Sequence, residues 1–109
     1  MSKRRVVITG LGIVSPVGNT VESAWENIIS GKSGITRISR FDASNFASQI
    51  AGEVKDFDIQ AYLSVKEARR MDTFIHFGMA AGIQAIRDAN LEDLTHLDAE
   101  RIGVYIGSG

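Results

Sequence analysis

The 109-residue sequence contains no cysteine. That absence excludes a disulfide framework, a thiolate metal site and a cysteine nucleophile within these residues. Proline occurs once, at Pro16, and 44% of residues are hydrophobic and 23% charged, the composition of an ordinary globular domain rather than a fibrous or disordered chain. No charge sign dominates: twelve Lys and Arg face thirteen Asp and Glu. A chain so balanced has no global field to draw it to nucleic acid or to an anionic membrane, and electrostatic partners must be sought locally. No run approaches the length of a membrane span. Lys3-Arg4-Arg5 ahead of Val6 to Val14 superficially matches a secretory signal. However, Thr9, Gly10 and Gly12 interrupt the run and no small-x-small cleavage site follows, so a cytoplasmic location is the expectation.

What is present divides into short periodic segments. Arg4 to Ile8 is a β-branched run without alternation, as expected of a strand buried on both faces of a parallel sheet. After a loop from Thr9 to Asn19, either Asn19 or Thr20 can cap a helix carrying Val21, Ala24, Trp25, Ile28 and Ile29 at helical spacing, with Gly31 ending it. Lys32 to Ile59 is poor in periodicity and rich in turn residues, apart from a short strand expected within Gln49 to Val54, and reads as an excursion outside the core layers. Ser64 and Glu67 have capping-box spacing, which predicts a short helix from Val65 to about Met71. Asp72 or Thr73 then starts a longer helix to Ala89, closed by Asn90, whose apolar residues cover more than half its circumference and predict extensive burial. Gly78 and Gly82, one turn apart on it, are either tolerated glycines or a place for another backbone to approach closely. Ile102 to Ile106 reads as a second core strand, and the ending Ile106-Gly107-Ser108-Gly109 as a strand entering an unfinished glycine loop, hence a truncated chain. The order expected is β, α, excursion, α, β.

Several motifs have mundane competitors. Gly10-Leu11-Gly12 after a strand invites a nucleotide-binding α/β reading, but the fingerprint needs a third glycine where Ser15 stands, and Gly18 falls too late. Tyr62-Leu63-Ser64-Val65-Lys66 matches the Tyr-x-x-x-Lys spacing of short-chain dehydrogenases, yet it starts a capped helix, and chance is the favoured explanation. Ser15 and Ser108 lack the Gly-x-Ser-x-Gly elbow of a serine hydrolase and read as turn serines. His76 and His96 have no partners at metal-ligand spacing and read as ordinary surface or helix-face histidines. Lys66, Arg69 and Arg70 fall on one side of the short helix, opposed nearby only by Glu67. They form either a solvated face that complements the helix dipole or a patch that attracts an acidic protein or phosphate; spacing alone favours the former.

Taken together, Arg4-Arg5-Val6-Val7-Ile8-Thr9-Gly10-Leu11-Gly12, Ser15-Pro16-Val17-Gly18-Asn19, Ala24-Trp25, Gly31-Lys32-Ser33-Gly34-Ile35, Phe41-Asp42, Arg70-Met71-Asp72 and Ile106-Gly107-Ser108-Gly109 closely resemble the beginning of the bacterial 3-oxoacyl-acyl carrier protein synthase II family. The resemblance spans the whole chain. Polyketide ketosynthases share several of these pieces, and the fatty-acid enzymes are the nearer match.

The resemblance implies an α/β chain belonging to the first half of a thiolase-like α-β-α-β-α layered fold, residues 1–109 being an incomplete half-domain with 36–70 mostly peripheral. It also implies a cytoplasmic acyltransferase of fatty acid biosynthesis that is a homodimer when complete and acts on malonyl and acyl groups held on the phosphopantetheine arm of acyl carrier protein. In that family a cysteine thiolate takes the acyl group, two histidines assist malonyl decarboxylation, and backbone amides hold the oxyanion. All three catalytic side chains lie downstream of the matched region. No residue here is therefore assigned a catalytic, cofactor-binding or metal-binding role, no cofactor is expected, and the chain alone is expected to be inactive. Basic residues matching Lys66, Arg69 and Arg70 receive the carrier protein in related synthases, so the resemblance turns the reading of that helix toward carrier docking. The alternatives are a non-catalytic fragment or carrier-binding module and, more weakly, the nucleotide-binding domain; neither nucleic acid nor membrane is an expected partner. The broad apolar surfaces predict that the segment aggregates or folds only in part when isolated.

Overall fold

The computed structural model describes residues 2–109. In chain order they form α1 (Val21–Ile29), β1 (Ile35–Arg37), β2 (Ile50–Gly52), α2 (Val65–Ala68) and α3 (Thr73–Asp88), with 3-10 turns at Ile59–Ala61 and Ala99–Arg101.

Local chemistry sets the helix ends. Thr20, not Asn19, caps α1: its hydroxyl accepts from Ser23 N–H, while Thr20 N–H donates to Ser23 Oγ. Asn19 instead donates its side-chain amide to the Lys55 carbonyl at 2.7 Å. At the other end Gly31 takes φ +69°, and Lys32 and Gly31 donate to Asn27 and Ile28, a Schellman closure. Helix α3 closes in the same way, with Asn90 at φ 56° and Leu91 and Asn90 donating to Ile86 and Arg87. Its N-cap is Asp72, which accepts from Thr73 N–H.

β1 and β2 pair antiparallel, Ile35 with Gly52, Thr36 with Ala51 and Arg37 with Ile50. The single proline seats on this ribbon. Side chains added at Gly34 and Gly52 would lie 2.8 and 2.9 Å from Pro16 Cβ and Cγ, so both glycines are cut away for its ring. The Ser15–Gly18 turn that carries Pro16 is closed by reciprocal backbone bonds between its end residues, and Asn27 of α1 donates to Val17 O at 2.6 Å.

The first residues cross α3. A Cβ at Gly10 would lie 2.4 Å from the Ala85 carbonyl oxygen, and one at Gly12 1.9 Å from that of Ala81, so the two backbones are in direct contact. Leu11 N–H donates to Asp88 Oδ2 (2.9 Å) and Ile13 N–H to Gln84 Oε1 (3.1 Å), one helical turn apart on α3. Gln84 also donates to the Asn19 carbonyl and to the Tyr62 hydroxyl, tying the first loop, the middle of the chain and α3 into one polar junction.

Three expectations change. Arg4 to Ile8 and Ile102 to Ile106 are not strands: neither run pairs with the other or with the ribbon, and Val6, Ile8 and Tyr105 are 86%, 82% and 96% exposed. A strand exists only where a neighbour takes its N–H and C=O groups, and a run apolar on both faces needs cover on both. Helix α2 stops at Ala68, short of the expected Met71, with Arg69 to Met71 in a turn. Helix α3 is not largely buried; Ala80 is its one buried residue, and Phe74 is 61% exposed. Of the two readings of Gly78 and Gly82, tolerated glycines holds: a Cβ at either would meet nothing within 4 Å, and the close backbone approach occurs instead at Gly10 and Gly12.

Among the described residues the buried apolar ones are all alanines, Ala24, Ala43, Ala68 and Ala80. The radius of gyration, 17.5 Å, exceeds the ~13 Å of a compact chain of this length. The elements form an open layer with wide apolar faces toward solvent.

Candidate functional site

The chemistry-bearing cluster is built on α2, whose N-terminus is a complete capping box. Glu67 N–H donates to Ser64 Oγ, while the Ser64 hydroxyl and backbone N–H both donate to Glu67 Oε2, at 2.7 and 3.0 Å. These bonds, the hydroxyl's foremost, hold the Glu67 carboxyl below the usual carboxylate range. The one anion that the spacing sets against the basic residues is thus turned back onto the helix start. Lys66, Arg69 and Arg70 are all exposed, and among the described residues none of them forms an ion pair. The three remain adjacent although α2 is shorter than expected, because Arg69 is its C-cap and Arg70 N–H still donates to the Glu67 carbonyl at 3.1 Å.

Behind these cations the helix is seated on buried Ala68. Just before it, Tyr62 stacks on Phe57, and the Phe57 ring meets Phe77 of α3 edge-on at 5.2 Å. His76 of α3 reaches back to α2, its Nε2 lying 2.8 Å from the Ala68 carbonyl oxygen. A carbonyl only accepts, so Nε2 carries the proton and donates. His76 is therefore a structural link rather than an ordinary helix-face histidine. The sequence signal for it is faint, a histidine one turn after the Asp72 cap, because the link depends on the chain reversal between α2 and α3.

The other singled-out residues are committed to structure. Ser15 donates its hydroxyl to Gly18 O within its own turn, as expected of a turn serine. Tyr62 accepts from Gln84, so the hydroxyl of the Tyr-x-x-x-Lys match serves the polar junction. Gly10 and Gly12 face the α3 backbone, which removes the ground for reading them as a phosphate cradle. His96 is exposed. Among the described residues no group of three or more His, Cys, Asp or Glu side chains could hold a metal ion, and no helix is long and apolar enough to cross a membrane. The beginning of α3 and residues 106–108 line an open groove of about 340 Å³ walled mainly by the apolar Phe74, Ile75, Gly78, Met79 and Ile106, with Ser108 at its side.

Residues 3–109 match the family model described as Beta-ketoacyl synthase, N-terminal domain, and the chain belongs to that family. It is similar over all 109 residues to proteins named 3-oxoacyl-acyl-carrier-protein synthase 2, at 60% identity in Vibrio harveyi, 58% in Vibrio cholerae and 50% in Synechocystis. The chain spans 26% of the length of each of these relatives. Among solved structures, it is similar to the ishigamide ketosynthase/chain length factor, with a TM-score of 0.70 and 33% identity over 83% of this chain and 22% of that one. The fold is thus the N-terminal part of a thiolase-like ketosynthase, and the α/β class expected from the sequence holds.

Proposed function

We propose that the chain is the N-terminal segment of an elongating β-ketoacyl-acyl carrier protein synthase. The observation that carries this reading is the 60% identity, without interruption of coverage, to a synthase named for that reaction. In the complete protein the acyl group passes from its carrier to a cysteine thiolate. Malonyl carrier then loses carbon dioxide, and the resulting carbanion attacks the acyl thioester, forming a carbon–carbon bond and releasing the thiolate. With no cysteine among its 109 residues, this segment supplies none of that chemistry. Its contribution is to the wall of the fold and to substrate delivery.

Delivery is assigned to Lys66, Arg69 and Arg70. What supports the assignment is their joint exposure and freedom from ion pairing among the described residues, with Glu67 diverted into its capping box. Acyl carrier protein, an acidic partner by the family resemblance, would be steered by such a patch and held by rim contacts rather than deep burial. The partner surface belongs to a complete homodimeric enzyme in this reading.

The test is charge reversal of all three residues in the complete enzyme. Affinity for acyl carrier protein should fall about tenfold or more, and its dependence on ionic strength should flatten. Unchanged affinity together with unchanged salt dependence removes the docking assignment. Condensing activity on malonyl and acyl carrier substrates tests the wider reading.

A further inference from the structure

A docking helix of four residues poses a mechanical problem. One isolated turn has almost no stability of its own, since nucleation fixes several residues for a single hydrogen bond. Helix α2 is one such turn, Val65–Ala68, and Arg69 and Arg70 lie just beyond its end, where helices fray. The capping box secures the beginning. Something else must hold the end that carries the arginines.

Within the helix, Arg69 N–H donates to the Val65 carbonyl and Arg70 N–H to that of Glu67, each at 3.1 Å, but the bond that ties this end to another element is made at the Ala68 carbonyl. The Ala68 carbonyl oxygen accepts from Met71 N–H at 3.2 Å and from His76 Nε2 at 2.8 Å. Ala68 is the buried residue of the helix, and its bond to His76 is part-buried. His76 is itself fixed, because it lies within α3 and its backbone N–H donates to the carbonyl of Asp72, the α3 N-cap. The imidazole thus fastens the last turn of α2 to the long helix at the residue immediately before Arg69.

We infer that His76 is a positioning residue for carrier binding: through the Ala68 carbonyl it sets the direction in which Arg69 and Arg70 leave α2, and so presents them together with Lys66 as one surface. This rests on the carrier-docking reading of those three residues. His76 does not touch the carrier. It acts by keeping the cations in a common geometry before encounter, which saves the ordering cost of assembling them during binding.

The experiment uses the complete synthase with His76→Ala and His76→Gln variants, titrated with holo-acyl carrier protein. It also compares kcat/KM for an acyl group on the carrier with that for the same acyl group on a small pantetheine thioester, which has no protein to dock. His76→Ala should weaken carrier affinity about fivefold, the size expected for one lost hydrogen bond, and should lower kcat/KM for the carrier-borne substrate more than for the small thioester. His76→Gln keeps an N–H donor of similar reach and should restore both affinity and the substrate ratio. Equal losses on both substrates, or an unchanged carrier affinity in His76→Ala, would overturn the inference. So would a His76→Gln variant as impaired as His76→Ala. The charge-reversed Lys66, Arg69 and Arg70 enzyme is run alongside. If it binds carrier normally, the docking reading fails and this inference with it; if it binds weakly while His76→Ala binds normally, only the inference fails.

Discussion

Gly12 has no room for a side chain, since a Cβ there would lie 1.9 Å from a helix carbonyl oxygen. Gly31 has ample room, but its φ of +69° strains any residue other than glycine or asparagine. The two glycines therefore predict different losses. Gly31→Ala should cost about 1–2 kcal/mol of local strain, and Gly31→Asn less. Gly12→Ala must push the first segment off α3, breaking the Leu11 and Ile13 bonds to Asp88 and Gln84, and should cost about 3 kcal/mol or more. Thermal midpoints of the two variants in the complete enzyme decide the order; a Gly12→Ala protein as stable as Gly31→Ala would contradict the observed crossing. Gln84 is the matching test from the other side. Gln84→Ala strips partners from Ile13 N–H, the Asn19 carbonyl and the Tyr62 hydroxyl at once, and should lower the midpoint by more than the loss of any one of these bonds.

Helix α2 couples its order to pH through Glu67. Because its capping bonds depress the folded carboxyl's pKa, the capping contribution is fully present above the ordinary glutamate range and is lost as pH falls through the lower folded value. Amide-exchange protection over 65–70, corrected for intrinsic rates, should hold from neutrality down to that range and drop on further acidification. In Ser64→Ala it should be about fivefold weaker at neutral pH, with the acid step diminished. A wild-type profile flat to strong acid would refute the coupling. The same locality explains what could be read beforehand. Helix caps are decided by residues within four positions of one another, so Thr20, Ser64, Asp72, Gly31 and Asn90 announce their roles. Strand β1 is not legible because three residues carry too little pattern, and the outer runs depart from expectation because β-branched composition does not say whether a partner is at hand. Which glycines meet another backbone, and what His76 holds, depend on which segments meet after the chain turns back on itself, and local spacing does not say.

With only alanines buried and Val6, Trp25, Phe74 and Ile106 among the exposed apolar side chains, the 109 residues expose far more hydrophobic surface than a monomer keeps in water. Expressed alone, the chain should aggregate or unfold without cooperativity, as judged by light scattering and a denaturant titration. A monodisperse, cooperatively unfolding monomer would show that these faces need no cover. The mass of the protein from its natural source, taken under denaturing conditions, gives the complementary observation: about four times that of this chain is expected from the 26% coverage of its relatives. The crossing of α3 by the first residues also has a temporal side. Leu11 and Ile13 bond to partners 77 and 71 positions later. At ~5–20 residues per second a ribosome makes 77 residues in about 4–15 s, so the segment around Leu11 is made that long before its partner in α3. The apolar run ahead of Gly10 is therefore made well before the helix that its neighbours cross, and the two can meet only once α3 is complete.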